Sequence, residues 1–130
     1  MSKLTEEMKS LVSSQLSYVA TTMPDGKPSI AVKGFKIIDE EHVAFFEMTG
    51  GRTWQNIKKN PWVAIAVADR SKVTGFRFDG KVVENITSGS LYEEAKKLSE
   101  MMKIPFPPKA VVKVKIEEIY NLGKGGRKVS

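Results

Sequence analysis

The stretch Thr49-Gly50-Gly51-Arg52-Thr53-Trp54-Gln55-Asn56 holds the residue types in this chain best suited to binding chemistry. Glycines ahead of a helix start let backbone N–H groups approach an anion, and the helix dipole favours negative charge there. Arg52 and the Thr53 hydroxyl would add a charge-assisted and a neutral donor for phosphate oxygens. The pattern is not a Walker A loop: the required first glycine would fall at Phe46, and Arg52 stands where that motif has lysine. Local features leave two readings, a phosphate cradle or a plain loop and N-cap with a solvated Arg52. His42 is the only histidine and follows the charged Asp39-Glu40-Glu41. A Ser-His-Asp triad needs a buried, oriented imidazole, so His42 reads as an exposed turn residue. With no cysteine and one histidine, the chain offers neither disulfides nor a convincing metal-ligand set. The aromatics Phe35, Phe45, Phe46, Trp62, Phe76 and Phe78 read chiefly as core.

These residues need elements to position them. Leu4, Met8, Leu11 and Val12 share one helical face behind Thr5 as N-cap, which predicts a helix over 4–14. A strand over 16–23 follows and turns at Pro24-Asp25-Gly26-Lys27, where proline presets φ and glycine accepts positive φ. The chain returns over 28–38, turns at 39–41 and runs a third strand over 42–48. A short helix, 53–59, should stop at Asn60-Pro61. Trp62–Ala68 is apolar nearly throughout and reads as a strand buried on both faces. A long strand over 73–86 carries Gly75 and Gly80 as bend points. Ser90-Leu91-Tyr92-Glu93 has the capping-box spacing and opens a helix with Leu91, Ala95, Leu98 and Met102 on its apolar face. The prolines after Ile104 end it, and 109–120 alternates as a last strand. The expectation is a mainly β (α+β) chain: a six-stranded antiparallel split β-barrel with short flanking helices.

Three stretches, in order, resemble the FMN-binding split barrel of the pyridoxamine-phosphate-oxidase-like families. They are the hairpin Tyr18–Pro28, the run Arg52–Ala64 with its basic-residue–Thr–x–x–Asn helix and Asn-Pro strand start, and the strand ending at Phe78-Asp79-Gly80-Lys81-Val82. The likeness covers about residues 14–120. It implies FMN as cofactor, with Arg52 and Thr53 on the phosphate and Asn56 as the helix asparagine. It implies that Ala31, Val32, Lys33 and Gly34 line the phosphate and ring, and that the backbone of Phe46, Glu47 and Met48 meets the ring edge. It further implies a homodimer with the flavin at the subunit interface, which Phe106 or Pro107 would reach from the partner. Tyr120-Asn121-Leu122-Gly123-Lys124 lacks the C-terminal arginine motif of pyridoxamine-phosphate oxidase proper, which argues against vitamin B6 oxidation. Haem-handling relatives would need His42 as an axial ligand, and it is poorly placed.

The 130 residues fit one domain, taken as 1–122 with a flexible basic tail over 123–130. The formal charge is +6, but Lys124, Arg127 and Lys128 lie beyond Gly123 and leave a modest excess on the body. That balance argues against nucleic acid as the partner. The N-terminus has no signal-peptide core and no stretch could span a bilayer, so a cytoplasmic protein without a membrane role is expected. Three functions stay open: an FMN-dependent oxidoreductase acting on an unidentified small molecule or redox partner, a non-catalytic flavin or electron carrier, and a basic binding module.

Overall fold

In the computed structural model, which describes residues 3–123 and 125–130, the chain begins with helix α1, Glu6–Ser14. The Thr5 side chain accepts from the Met8 N–H, and the Thr5 N–H donates back to the Met8 sulfur, a reciprocal cap with methionine in place of the usual Glu or Gln. Leu4, Met8, Leu11 and Val12 are buried, as their helical spacing predicts. Strands β1 (Ser17–Thr22) and β2 (Pro28–Lys33) form a hairpin whose turn uses Gly26 at φ +91°. β3 (Phe35–Ile37) and β4 (His42–Glu47) form a second, and then come helix α2 (Arg52–Lys59), β5 (Trp62–Asp69), β6 (Thr74–Ile86), helix α3 (Ser90–Met101) and β7 (Ala110–Asn121).

All pairings are antiparallel, in the order β2-β1-β5-β6-β7-β4-β3. The two outermost strands, β2 and β3, are consecutive in the chain with only Gly34 between them. A sheet whose outer strands share a one-residue link must curl until its ends converge, and this produces the split barrel. Phe45, Phe78, Ile65, Ile116 and Ile119, with Val19, Val43, Val67, Val112 and Val114, fill the interior. Gly80 sits at a register shift between β6 and β7, where an added Cβ would lie 2.5 Å from the Lys115 carbonyl oxygen.

Four expectations change. The strand over 28–38 is two strands, so the barrel has seven rather than six. Alternation passes through Gly34 unbroken, with Ala31, Lys33, Phe35 and Ile37 all turned inward, while the ladder partner changes from β1 to β4. β5 is buried on one face only: Val63, Ile65 and Val67 are covered, whereas Trp62 is half exposed and Ala68 exposed. The capping box at Ser90 is absent, because the Glu93 N–H bonds the Gly89 carbonyl and makes Gly89 the N-cap, at φ +97°. Finally, α3 buries Ala95 and Ser99, partly covers Leu91, and leaves Leu98 and Met102 exposed. Residues 127–130 lie along β7, with Ile119 bonded to Val129 and Ser130 and Asn121 to Arg127.

Candidate functional site

Where the barrel's ends converge, backbone edges are left without strand partners. β3 covers β4 only at Val43, Ala44 and Phe45, so Phe46, Glu47 and Met48 run past its end. The Glu47 carbonyl points toward β7 and accepts the Lys109 N–H at 2.8 Å. Backbone direction alternates along a strand, so the N–H and C=O of Phe46 point to the side β3 has vacated, and Met48 follows just past the strand end. Across this seam, β2 pairs among the described residues only with β1, with Ala31, Val32 and Lys33 opposite Val19, Tyr18 and Ser17.

A side-chain pair bridges the seam. Lys33 Nζ lies 3.2 Å from Glu47 Oε1, and Glu47 Oε2 accepts the Gly50 N–H at 3.1 Å. The Glu47 side chain is 1% exposed and that of Lys33 18%. β2, β4 and the loop leading into α2 are thereby tied at one carboxylate. Gly34 and Phe46 line a common groove of about 460 Å³ with Phe35, Lys36, Glu94 and Leu98 among its walls.

Helix α2 starts beside this junction. Its N-cap is Gly51, which supplies no side-chain cap, and its first intrahelical bond runs from the Gln55 N–H to the Gly51 carbonyl at 3.1 Å. The N–H groups of Arg52, Thr53 and Trp54 therefore precede the ladder and have no acceptor within the helix. Of the two glycine N–H groups expected to face an anion, that of Gly50 is already committed to Glu47. Arg52 is exposed, while Thr53, Asn56 and Ile57 form the buried face of α2. Asn56 Nδ2 donates to Thr21 Oγ1 on β1 at 3.0 Å, so this amide anchors the helix. A Cβ at Gly34 or Gly51 would meet nothing within 4 Å, and neither residue has positive φ. The chain's own packing thus requires glycine at neither position, and the open space suits the close approach of a ligand.

Of the residues expected at a site, the seam gathers Ala31–Gly34 and Phe46–Met48, with Arg52 and Thr53 at the adjoining helix start. Phe106 and Pro107 lie apart, in the loop between α3 and β7, lining a groove with Lys96, Ser99 and Ile104. Sequence reasoning missed Lys109, whose side chain packs on Gly50, and Thr21, the anchor of Asn56. It also missed a groove of about 490 Å³ on the outer face, where Trp62 and Ala64 meet Arg77 and Asp79. Arg77 grips Asp79 through two bonds of 2.9 and 3.2 Å and covers the Tyr120 ring at 4.1 Å. The Arg77-Phe78-Asp79 spacing, which places both charges on one strand face, was the available signal.

HupZ of Group A Streptococcus, a solved structure, is 37% identical, with a TM-score of 0.81 over 98% of this chain and 99% of its own. The uncharacterized protein MJ0282 of Methanocaldococcus jannaschii is 32% identical over 95% of this chain and 83% of its own. A solved F420 reductase is 26% identical, with a TM-score of 0.68 over 89% of this chain and 98% of its own. Residues 4–123 match the family model of pyridoxamine 5'-phosphate oxidase, and the chain belongs to that family.

Proposed function

We propose that this protein is an FMN-binding oxidoreductase, with the flavin's phosphate at the start of α2 and its ring in the seam between β2 and β4. The carrying observation is the α2 start: a glycine cap without a side-chain partner, open space over Gly51, uncommitted first-turn N–H groups and an exposed Arg52. Those features suit a phosphate monoester. A bound flavin would supply two-electron redox chemistry, which no side chain here supplies. The chain's own work is to bind and orient. Arg52 and the helix N–H groups hold the phosphate, Phe46 and Met48 offer backbone groups to the ring edge, and Gly34 leaves room for the ring.

A second copy of the chain completes the site on this reading. Ile30 and Val32 on β2, Tyr18 on β1 and Trp62 on β5 point outward and are 49–68% exposed. Ladder neighbours Tyr18–Val32, Ala20–Ile30 and Ala20–Ala64 make that face continuous. Apolar faces of this breadth are uncommon on monomers, which supports a homodimer.

Arg52→Ala tests the phosphate assignment. A charge-assisted hydrogen bond contributes roughly 1.5–3 kcal/mol, so losing one weakens FMN about 10- to 150-fold. Riboflavin, without the phosphate, should be almost unaffected, and Arg52→Lys should recover part of the loss. Equal losses for both ligands in flavin fluorescence quenching, or no loss for either, would refute the assignment.

A further inference from the structure

The Lys33–Glu47 pair puts a buried negative charge beside the place proposed for a dianion. Glu47 is three residues before Gly50 and five before Arg52, and both of its carboxylate oxygens are engaged, one by Lys33 and one by the Gly50 N–H. Lys33 holds Glu47, Lys109 packs on Gly50 and Arg52 follows the loop in sequence, while Glu47 is bonded to the loop itself. A phosphate monoester carries about −1.5 to −2 near neutral pH. Brought to the start of α2, it would seek the same ammonium that Glu47 holds and would feel the Glu47 charge directly.

We infer that Glu47 is a specificity-determining residue of the flavin site, an internal anion that competes with the flavin's phosphate for Lys33. The inference rests on the flavin reading above. Glu47 acts through Lys33 and through the Gly50 turn, so it is a positioning residue and not a catalytic one. With no ligand, the pair satisfies an ammonium and a carboxylate that would otherwise be costly to bury. When phosphate arrives, Lys33 can turn toward it only by leaving Glu47, so part of the phosphate's attraction is cancelled. A ligand without a charged tail does not provoke that exchange. Glu47 therefore compresses the preference for FMN over riboflavin.

Glu47→Gln keeps an acceptor for the Gly50 N–H and releases Lys33. Removing one negative charge near the dianion and freeing one charge-assisted donor should tighten FMN about tenfold or more. Riboflavin affinity should stay within about twofold of wild type, since an effect on neither charge nor donor leaves little free-energy change. Glu47→Asp, shorter by one methylene, keeps the charge but loosens its grip on Lys33 and should give a smaller gain in the same direction. It also keeps the test alive if the Gln variant does not fold. Adding Lys33→Gln to Glu47→Gln should abolish the gain. Titrations by flavin fluorescence quenching, with folding checked by circular dichroism, read all of these. No FMN-selective gain in either single variant overturns the inference while leaving FMN binding intact. Wild-type protein that quenches neither flavin overturns the flavin reading, and this inference with it.

Discussion

The hydrogen bond from Asn56 to Thr21 spans 35 residues of sequence and ties the buried face of α2 to β1. Asn56 is 1% and Thr21 4% exposed, so neither group can turn to bulk water when its partner is removed. Asn56→Ala orphans the Thr21 hydroxyl and loses the packing of the amide, for a cost of about 2–3 kcal/mol. Thr21→Val preserves shape and orphans the amide instead, for about 1–2 kcal/mol. The double variant leaves no unmatched group from this pair and should cost less than the sum by about 1 kcal/mol. In a chain of this size each kcal/mol lowers Tm by roughly 3–6 °C, so the single variants should separate clearly from wild type. Urea unfolding at constant m reads the same quantities independently. Costs that add within about 0.5 kcal/mol would refute the coupling and with it the account of how α2 is held over the barrel.

Gly80→Ala should destabilise by about 1–3 kcal/mol, because the Lys115 carbonyl oxygen and Val114 Cγ1 stand 2.5 and 2.7 Å from the new Cβ. Gly34→Ala, which meets nothing, should leave Tm equal or slightly higher yet weaken flavin binding; a fall in Tm with unchanged binding would contradict the role given to Gly34. The Lys128 ammonium and then the Tyr120 hydroxyl hydrogen-bond Glu118 and hold its carboxyl below the ordinary range, while Glu118 raises Lys128. The lowered carboxyl stabilises the docked end of the chain above the ordinary carboxylate pKa, and that support is lost as pH falls through the lowered value. The raised ammonium gives support below the ordinary lysine pKa, lost as pH rises through the raised one. Amide shifts of Val129 should therefore report docking at neutral pH and release at both extremes, with Glu118→Gln removing the acid limb and weakening the alkaline one, since Glu118 is what raises Lys128. Light scattering with flavin bound should give twice the 14.5 kDa chain mass, and a monomer at micromolar concentration would rule out the dimeric site.

Local chemistry made most elements legible. The Pro-Asp-Gly turn, the alternation of β7 and the Asn60-Pro61 stop of α2 each follow from a few adjacent residues. The break at Gly34 was hidden because inward-facing parity is the same on both sides of it, and only the hydrogen-bond partner changes. Ile30 and Val32 are apolar yet turned outward, so hydropathy does not mark which face of β2 is inward. At the site, the glycine-rich start of α2 could be read from the sequence because a helix start and its free N–H groups are set by neighbouring residues. The Lys33–Glu47 pair could not, because 14 residues and a change of sheet partner separate its members. The capping box at Ser90 failed by a single residue of frame, which side-chain spacing cannot fix once glycine offers an alternative N-cap.

The seam also accounts for the kind of ligand it suits. A closed barrel would join β2 to β4 by backbone hydrogen bonds, but here the crossing contact is an ion pair between side chains. The partly buried backbone of Phe46 then runs past the end of the β3 ladder, on a side where backbone N–H and C=O groups favour a partner. A flat ring with alternating acceptors and a donor along one edge meets that need as a missing strand would. The pyrimidine side of a flavin has such an edge, and an aromatic hydrocarbon of equal size does not. On the flavin reading, ring recognition arises from the topology at Gly34, and phosphate recognition arises separately from the start of α2. The two contributions should therefore be separable by ligand. Riboflavin keeps the edge and loses the phosphate, so it should still bind, and its affinity should respond to Gly34→Ala but not to Arg52→Ala.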